Sequence, residues 1–291
     1  MSVASQLVAG SLVLAVAYAL IGTAWAIIFR TSNTFNFATG QFVVLGSLIY
    51  YTFSTSLRIP VWLALPLSLV AIVVFAVGIY AVFVRPITGQ PIFAAAILTL
   101  GLSIILTSFT QIVWGHELRV LAAPFRSETY RLAGVLNITN YQAATILGGL
   151  VFFAALLVLF RYSRIGIQMR ATAENPLLAS QVGINVHWMM AVAWSLAFVA
   201  ASLAGIGYAY ANVLSQSSSE LGLRGIAPLV LGGLERIDGV IVGAILIAVT
   251  ENLAVLYLGG TARDAVAWFV ILLALAVRPQ GLFGQAEVRR V

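Results

Sequence analysis

No charged residue occurs between Met1 and Phe29, and apolar runs of this kind return along the whole chain, separated by single arginines and short polar breaks. About 20 apolar residues span a hydrocarbon core of about 30 Å as a helix, which bonds its own backbone groups where no water can. A soluble domain carries about 25% charged residues; this chain carries 8%, with 62% hydrophobic. The 291 residues therefore predict an all-α integral membrane protein with about eight transmembrane helices, and a single membrane domain uses the full length.

The net charge is +6, and all fifteen basic residues are arginine. They stand singly at the ends of apolar runs rather than in a patch, which fits a membrane better than a nucleic acid. Without lysine the chain has no Walker A motif and cannot be a P-loop ATPase itself. Cysteine is absent as well, which removes disulfides, thiolate nucleophiles and thiolate metal sites.

Arg30 follows the first apolar run, whereas a secretory signal peptide carries its positive charge before a shorter one. Ala24-Trp25-Ala26 resembles a cleavage site, but small residues are common in membrane helices. The charge asymmetry predicts an N-terminus outside and Arg30 in the cytosol. Continuing through the breaks puts Arg30, Arg85, Arg161, Arg164, Arg170, Arg236, Arg278, Arg289 and Arg290 inside, and Arg58, Arg119, Arg126, Arg131, Arg224 and Arg263 outside.

Further spans are expected at residues 41–52, 61–84, 92–113, 141–160, 186–211, 240–258 and 265–277. Residues 57–60 form an outer turn and 85–91, with two prolines and a glycine, an inner one. Thr99, Ser103, Thr107 and Thr110 make one polar stripe, read as packing or as pore lining. Residues 114–140 form a loop of mixed charge, suited to a soluble partner or to plain solvation. There His116 stands beside Glu117 without a second ligand. Ala200, Ala201, Ala204, Gly205 and Gly207 allow close helix approach.

Two polar breaks mark a candidate solute path. Residues 31–40, TSNTFNFATG, either open the helix at membrane depth, with Asn36, Phe37, Thr39, Gly40 and Gln41 along a path, or form a loop with Asn33 or Thr34 as helix cap. Residues 221–234 are too short to cross as a full helix and are interrupted at Gly222, Gly225 and Pro228. Short broken segments of this kind point to a solute site or to a re-entrant packing element. VVLGSL at residues 43–48 echoes LVLGGL at 229–234, each after a glycine-containing break, the trace an inverted repeat would leave. Glu251 falls inside a span, where a carboxylate costs about 2.5 to 3.5 kcal/mol. It is read either as a coupling proton site or as a bonding partner of another span.

Residues 161–187 form a polar island with three arginines. Asn175 reads as N-cap, Pro176 as first helical residue and Gly183 as stop. The helix expected at 176–182 carries Leu177, Leu178 and Val182, apolar residues that a solvated helix has little reason to hold. It is read as a docking handle on the cytosolic face.

FNFATGQFVVLGSLIY (35–50), GIQMRATAENPLLASQVGINV (166–186), APLVLGGLERIDGVIVGAILIAVTEN (227–252) and RDAVAWFVILLALAVRPQGLFG (263–284) resemble the permease subunits of bacterial ATP-binding-cassette importers for branched-chain amino acids, with their urea and amide relatives. The resemblance implies one permease domain over residues 1–291 in the cytoplasmic (inner) membrane. It implies a second homologous permease subunit, two cytosolic ATPase subunits and an extracytoplasmic substrate-binding protein as partners. No cofactor is expected on this chain, since ATP belongs to the partner subunits, and no catalytic activity of its own. The stretch with Arg170, Glu174, Asn175, Pro176, Leu177, Leu178, Ser180, Val182 and Gly183 looks like the segment that contacts the ATPase. Relatives commonly read N-F-A-H-G followed by an acid where this chain has Thr39, Gly40 and Gln41. A zwitterionic amino acid, a neutral amide or a small carboxylate all remain open as solute. The alternatives are a stand-alone secondary transporter or channel, with Glu251 carrying ion coupling, and a membrane-embedded enzyme. The last has only His116 and His187, on opposite faces, and no Gly-x-Ser-x-Gly or His-Glu-x-x-His pattern.

Overall fold

The computed structural model describes residues 3–32, 34–121, 128–132, 136–234, 237–278 and 281–283. The helices are α1 (Val3–Ser32), α2 (Thr39–Tyr51), α3 (Val61–Ile79), α4 (Ile92–Trp114), α5 (Asn140–Tyr162), α6 (Arg164–Glu174), α7 (Pro176–Gln181), α8 (Val186–Ala211), α9 (Glu220–Arg224), α10 (Ile226–Gly232), α11 (Ile237–Leu258) and α12 (Ala262–Val277). Six of them, α1, α3, α4, α5, α8 and α11, are long and apolar enough to cross a membrane. The other two expected spans are shorter: α2 runs on into a π turn, Thr52–Ser56, and α12 has 16 residues. The architecture is the expected all-α membrane bundle.

α1 and α8 form the centre. α1 packs against α8 and α11, and α8 packs against α2 and α3. α3, α4 and α5 turn most of their apolar side chains outward. Inside lipid, helices gain little from hydrophobic burial and associate by close van der Waals packing through small residues. Gly46 of α2 lies so near Ser202 of α8 that an added Cβ would sit 2.0 Å from its Oγ, and Gly205 of α8 faces Val43 and Ser47 in return. Gly232 of α10 meets Gly239 of α11, with 2.2 Å left for a Cβ. Gly46 and Gly232 hold the same position in the two echoed hexapeptides, and each stands at a close approach of helices. Phe42 stacks on Phe198 with ring centroids 3.9 Å apart.

The chain reverses direction at two ends. At one lie Arg30, the end of α5, the start of α11 and Met169, Arg170 and Ala173 of α6. At the other, Arg119 beyond α4 pairs its backbone with Leu214 beyond α8. α8 ends at the second and α11 begins at the first. The stretch between them, a 3-10 turn at Gln216–Ser219 followed by α9 and α10, therefore carries the chain through the bundle in short pieces.

The structure departs from the sequence reading in several places. Residues 114–140 are not loop throughout: Thr129–Leu132 (β1) pairs antiparallel with Leu136–Thr139 (β2), Tyr130 opposite Ile138. α6 is an additional helix inside the polar island. α7 stops at Gln181, with Val182 as its C-cap and Gly183 at φ 85°. The break in residues 221–234 falls at Gly225, while Pro228 lies inside α10. Arg224, counted with the outer arginines, has a largely covered side chain on α9, 3.9 Å from Glu220. Thr34 does not cap α2, whose N-cap position is Ala38 without a side-chain bond. Asn33, Arg126, Arg236, Arg289 and Arg290 lie outside the described residues.

Candidate functional site: a seam of two broken segments and an exposed end helix

After α1 the chain folds back into the bundle. Phe35 and Phe37 come to rest against Trp25, with ring centroids 6.1 and 6.0 Å away. The Asn36 Oδ1 accepts from the Ala38 N–H at 3.1 Å and the Thr39 hydroxyl donates to the Asn36 carbonyl at 2.7 Å. This turn replaces the bonds lost between helices, as buried backbone requires. Thr99 of α4 accepts from the Phe37 N–H and donates to the Phe35 carbonyl, each at 3.3 Å. The Asn36 Nδ2 is buried without a hydrogen-bond partner.

The second broken segment meets the first directly. A Cβ on Gly222 would lie 2.2 Å from Gly40 Cα, and a Cβ on Gly40 2.3 Å from the Ser219 carbonyl. The Trp25 indole N–H donates to the Gly222 carbonyl at 2.9 Å. Gln216 Nε2 donates to Gln41 Oε1 at 2.8 Å, and the Thr110 hydroxyl donates to Gln216 Oε1 at 3.3 Å. Thr107 lies 3.5 Å from the same amide nitrogen. Thr99, Thr107 and Thr110 of the α4 stripe thus reach the two broken segments. A shallow recess opens at the Trp114 end and stops at Gln216 and Thr110, with Val44, Leu48 and Leu214 as apolar lining and His116, Glu117 and Arg119 as polar lining.

Glu251 is fully buried on α11. The Tyr18 hydroxyl lies 2.9 and 2.8 Å from its two carboxyl oxygens, and Arg224 stands beside the same hydroxyl. Gly22, one turn further along α1, abuts Gly225 and Pro228. Glu251 thus reaches α1 at Tyr18, Gly225 and Pro228 reach it at Gly22, and Asn36, Thr39, Gly40 and Gln41 belong to the first broken segment. None of these lines the recess.

At the Arg30 end, α6 and α7 form an elbow. The Ser163 hydroxyl caps α6 by accepting from the Gly166 N–H at 2.9 Å. Asn175 Oδ1 caps α7, accepting from the N–H groups of Leu177 and Leu178, both at 3.0 Å. Only Ala179 of α7 is buried; Leu177 is 68%, Leu178 56% and Val182 76% exposed. Arg170 donates to the Phe160 carbonyl and ties α6 to α5, while Glu174 ends α6 and Ser180 bonds back to Leu177.

The residues marked in the sequence fall into these two places, seam and elbow. Gln216, Tyr18 and Arg224 were not among them. Gln216 sits in a serine-rich run that reads as loop, and Tyr18 in an apolar run. Among the described residues no cluster of three His, Cys, Asp or Glu could hold a metal.

Residues 7–276 match the family described as "Branched-chain amino acid transport system / permease component". The high-affinity branched-chain amino acid transport system permease protein LivH of Escherichia coli K12 is 28% identical over 94% of this chain and 93% of its own length. The corresponding protein BraD of Pseudomonas aeruginosa is 29% identical over 94% of each. A probable LivH of Methanocaldococcus jannaschii is 25% identical over 91% of this chain and 88% of its own.

Proposed function

The chain belongs to the family of branched-chain amino acid transport permease components, and on that premise we propose that it is the membrane subunit of an ATP-driven importer, bringing an aliphatic amino acid or similar small zwitterion into the cytoplasm. The observation that carries the reading is α7, capped at both ends and presenting Leu177, Leu178 and Val182 to solvent at the arginine-rich end of the bundle. An exposed apolar patch on a short fixed helix is suited to a partner surface. With no lysine in the chain, nucleotide chemistry has to come from that partner, two cytosolic ATPases.

The arginine distribution supports the Arg30 end as cytosolic, with the N-terminus outside and the chain in the cytoplasmic membrane. The recess at Gln216 then faces outward, toward an extracytoplasmic binding protein. Its Val44, Leu48 and Leu214 lining suits an aliphatic side chain, and Arg119 and Glu117 in the same lining suit the carboxylate and the ammonium of a zwitterion. The seam of Asn36, Phe37, Thr39, Gly40, Gln41, Gly225 and Pro228 is the place that must part for passage. A second homologous permease completes the membrane unit. Glu251, bonded by Tyr18, acts as a structural anchor rather than a proton carrier.

Proteoliposomes test this. Chain, sister permease, ATPases and binding protein together should accumulate labelled leucine or valine only with ATP inside the ATPase compartment. Uptake by this chain alone without ATP would favour the secondary transporter.

A further inference from the structure

The Arg30 end holds a second recess. It is a shallow, open recess where α1, α5, α6 and α11 meet, with Ile27, Phe160, Met169 and Ile237 as apolar wall and Arg30 and Arg170 as basic lining. Neither Glu174 nor Asp238 lines it. Arg170 is fixed there by its bond to the Phe160 carbonyl, which uses one of five guanidinium donors.

The surroundings are those of a membrane surface. α6 buries Gly166, Met169 and Thr172 and exposes Ile165 and Ile167 beside Arg164. Tyr162 and Trp188 stand exposed next to it. An amphipathic helix with basic and apolar side chains on its outer side and flanking aromatics lies in the headgroup layer. A guanidinium pair recognises a phosphate by paired charge-assisted bonds. A soluble phosphate has no use for the apolar wall, whereas a lipid has both parts.

We propose that this recess seats an anionic phospholipid, its headgroup phosphate between Arg30 and Arg170 and its glycerol and upper acyl carbons against the half-buried Phe160 and Ile237. Since α6 leads through Asn175 into α7, the bound lipid holds the elbow at the height from which α7 meets its partner. The inference rests on the cytosolic placement of the Arg30 end proposed above.

The test uses the assembled transporter in detergent with equal phosphatidylglycerol and phosphatidylcholine, bound lipid being counted by native mass spectrometry. Phosphatidylglycerol should be retained preferentially, and Arg30→Gln should lower its retention about fivefold, the effect of one arginine at an anionic surface, while Arg30→Lys keeps most of it. A photoactivatable phosphatidylglycerol should label residues 26–31 or 160–173 of the unaltered chain, which needs no variant to fold. Equal retention of both lipids, labelling elsewhere only, or displacement by millimolar inorganic phosphate would overturn the proposal. ATP-driven uptake by the same preparation keeps the two readings apart: a complex that transports but shows no lipid preference loses only the lipid seat.

Discussion

Gln216 Nε2 donates to Gln41 Oε1 at 2.8 Å, joining the stretch after α8 to the first turn of α2 across 175 residues of chain. The bond lies behind the floor of the recess beside Val44 and Leu48. Gln41→Glu keeps an acceptor for Gln216 and adds a negative charge behind that floor. Assembly should persist, while competition assays should show weaker inhibition by neutral amino acids relative to basic ones. An unchanged inhibition profile would remove Gln41 from the solute path. Gln41→Leu loses the bond and strands the Gln216 amide, which costs about 1 to 3 kcal/mol and should appear as a lower unfolding temperature in detergent.

The seam also sets the sign of two alanine substitutions. At Gly222 a Cβ would stand 2.2 Å from Gly40 Cα and 2.5 Å from Gly40 N, whereas at Gly101 nothing lies within 4 Å. Overpacking backbone against backbone costs about 1 to 3 kcal/mol; an open helical glycine replaced by alanine gains up to about 1 kcal/mol. Thermal unfolding should fall for Gly222→Ala and hold or rise for Gly101→Ala.

The Tyr18 hydroxyl is a donor to a fully buried carboxyl, and hydrogen bonds to charged groups contribute about 1.5 to 3 kcal/mol. Tyr18→Phe should lower stability by about that amount. Glu251→Gln, which keeps an acceptor for Tyr18, should retain uptake, and a protonophore should leave ATP-driven uptake unaffected. Loss of uptake on both treatments would restore Glu251 as a proton site.

α7 has six residues, too few to be stable without its caps. Asn175→Ala removes the acceptor for two N–H groups, at a cost of about 1 kcal/mol. ATPase binding, followed by titration of labelled ATPase onto the purified membrane unit, should weaken about fivefold, with Asn175→Asp restoring most of it.

The long spans were legible because lipid demands unbroken apolar helices, and α8 matches the expected 186–211. α7 was legible within one residue, since Asn175, Pro176 and Gly183 act locally. The β1–β2 pair was hidden because each strand has only four residues, TYRL and LNIT, too short a polar–apolar alternation to stand out in a stretch of mixed charge. α6 went unread because only the positions it buries, Gly166, Met169 and Thr172, betray its period. Both breaks were visible in composition, but that they meet at Gly40 and Gly222, and that Gln216 bridges them, depends on distant packing that no local signal carries.

The proposed coupling role of α7 is tested most directly by recovery of ATPase subunits with a tagged chain carrying Leu177→Asp and Leu178→Asp. Both side chains are exposed, at 68% and 56%, so the folded membrane unit should keep its unfolding temperature, as surface changes usually stay within about 0.5 kcal/mol. The double variant should be a monodisperse permease that has lost its ATPases and no longer supports ATP-driven uptake. ATPases recovered in full amounts with the folded double variant would contradict that role.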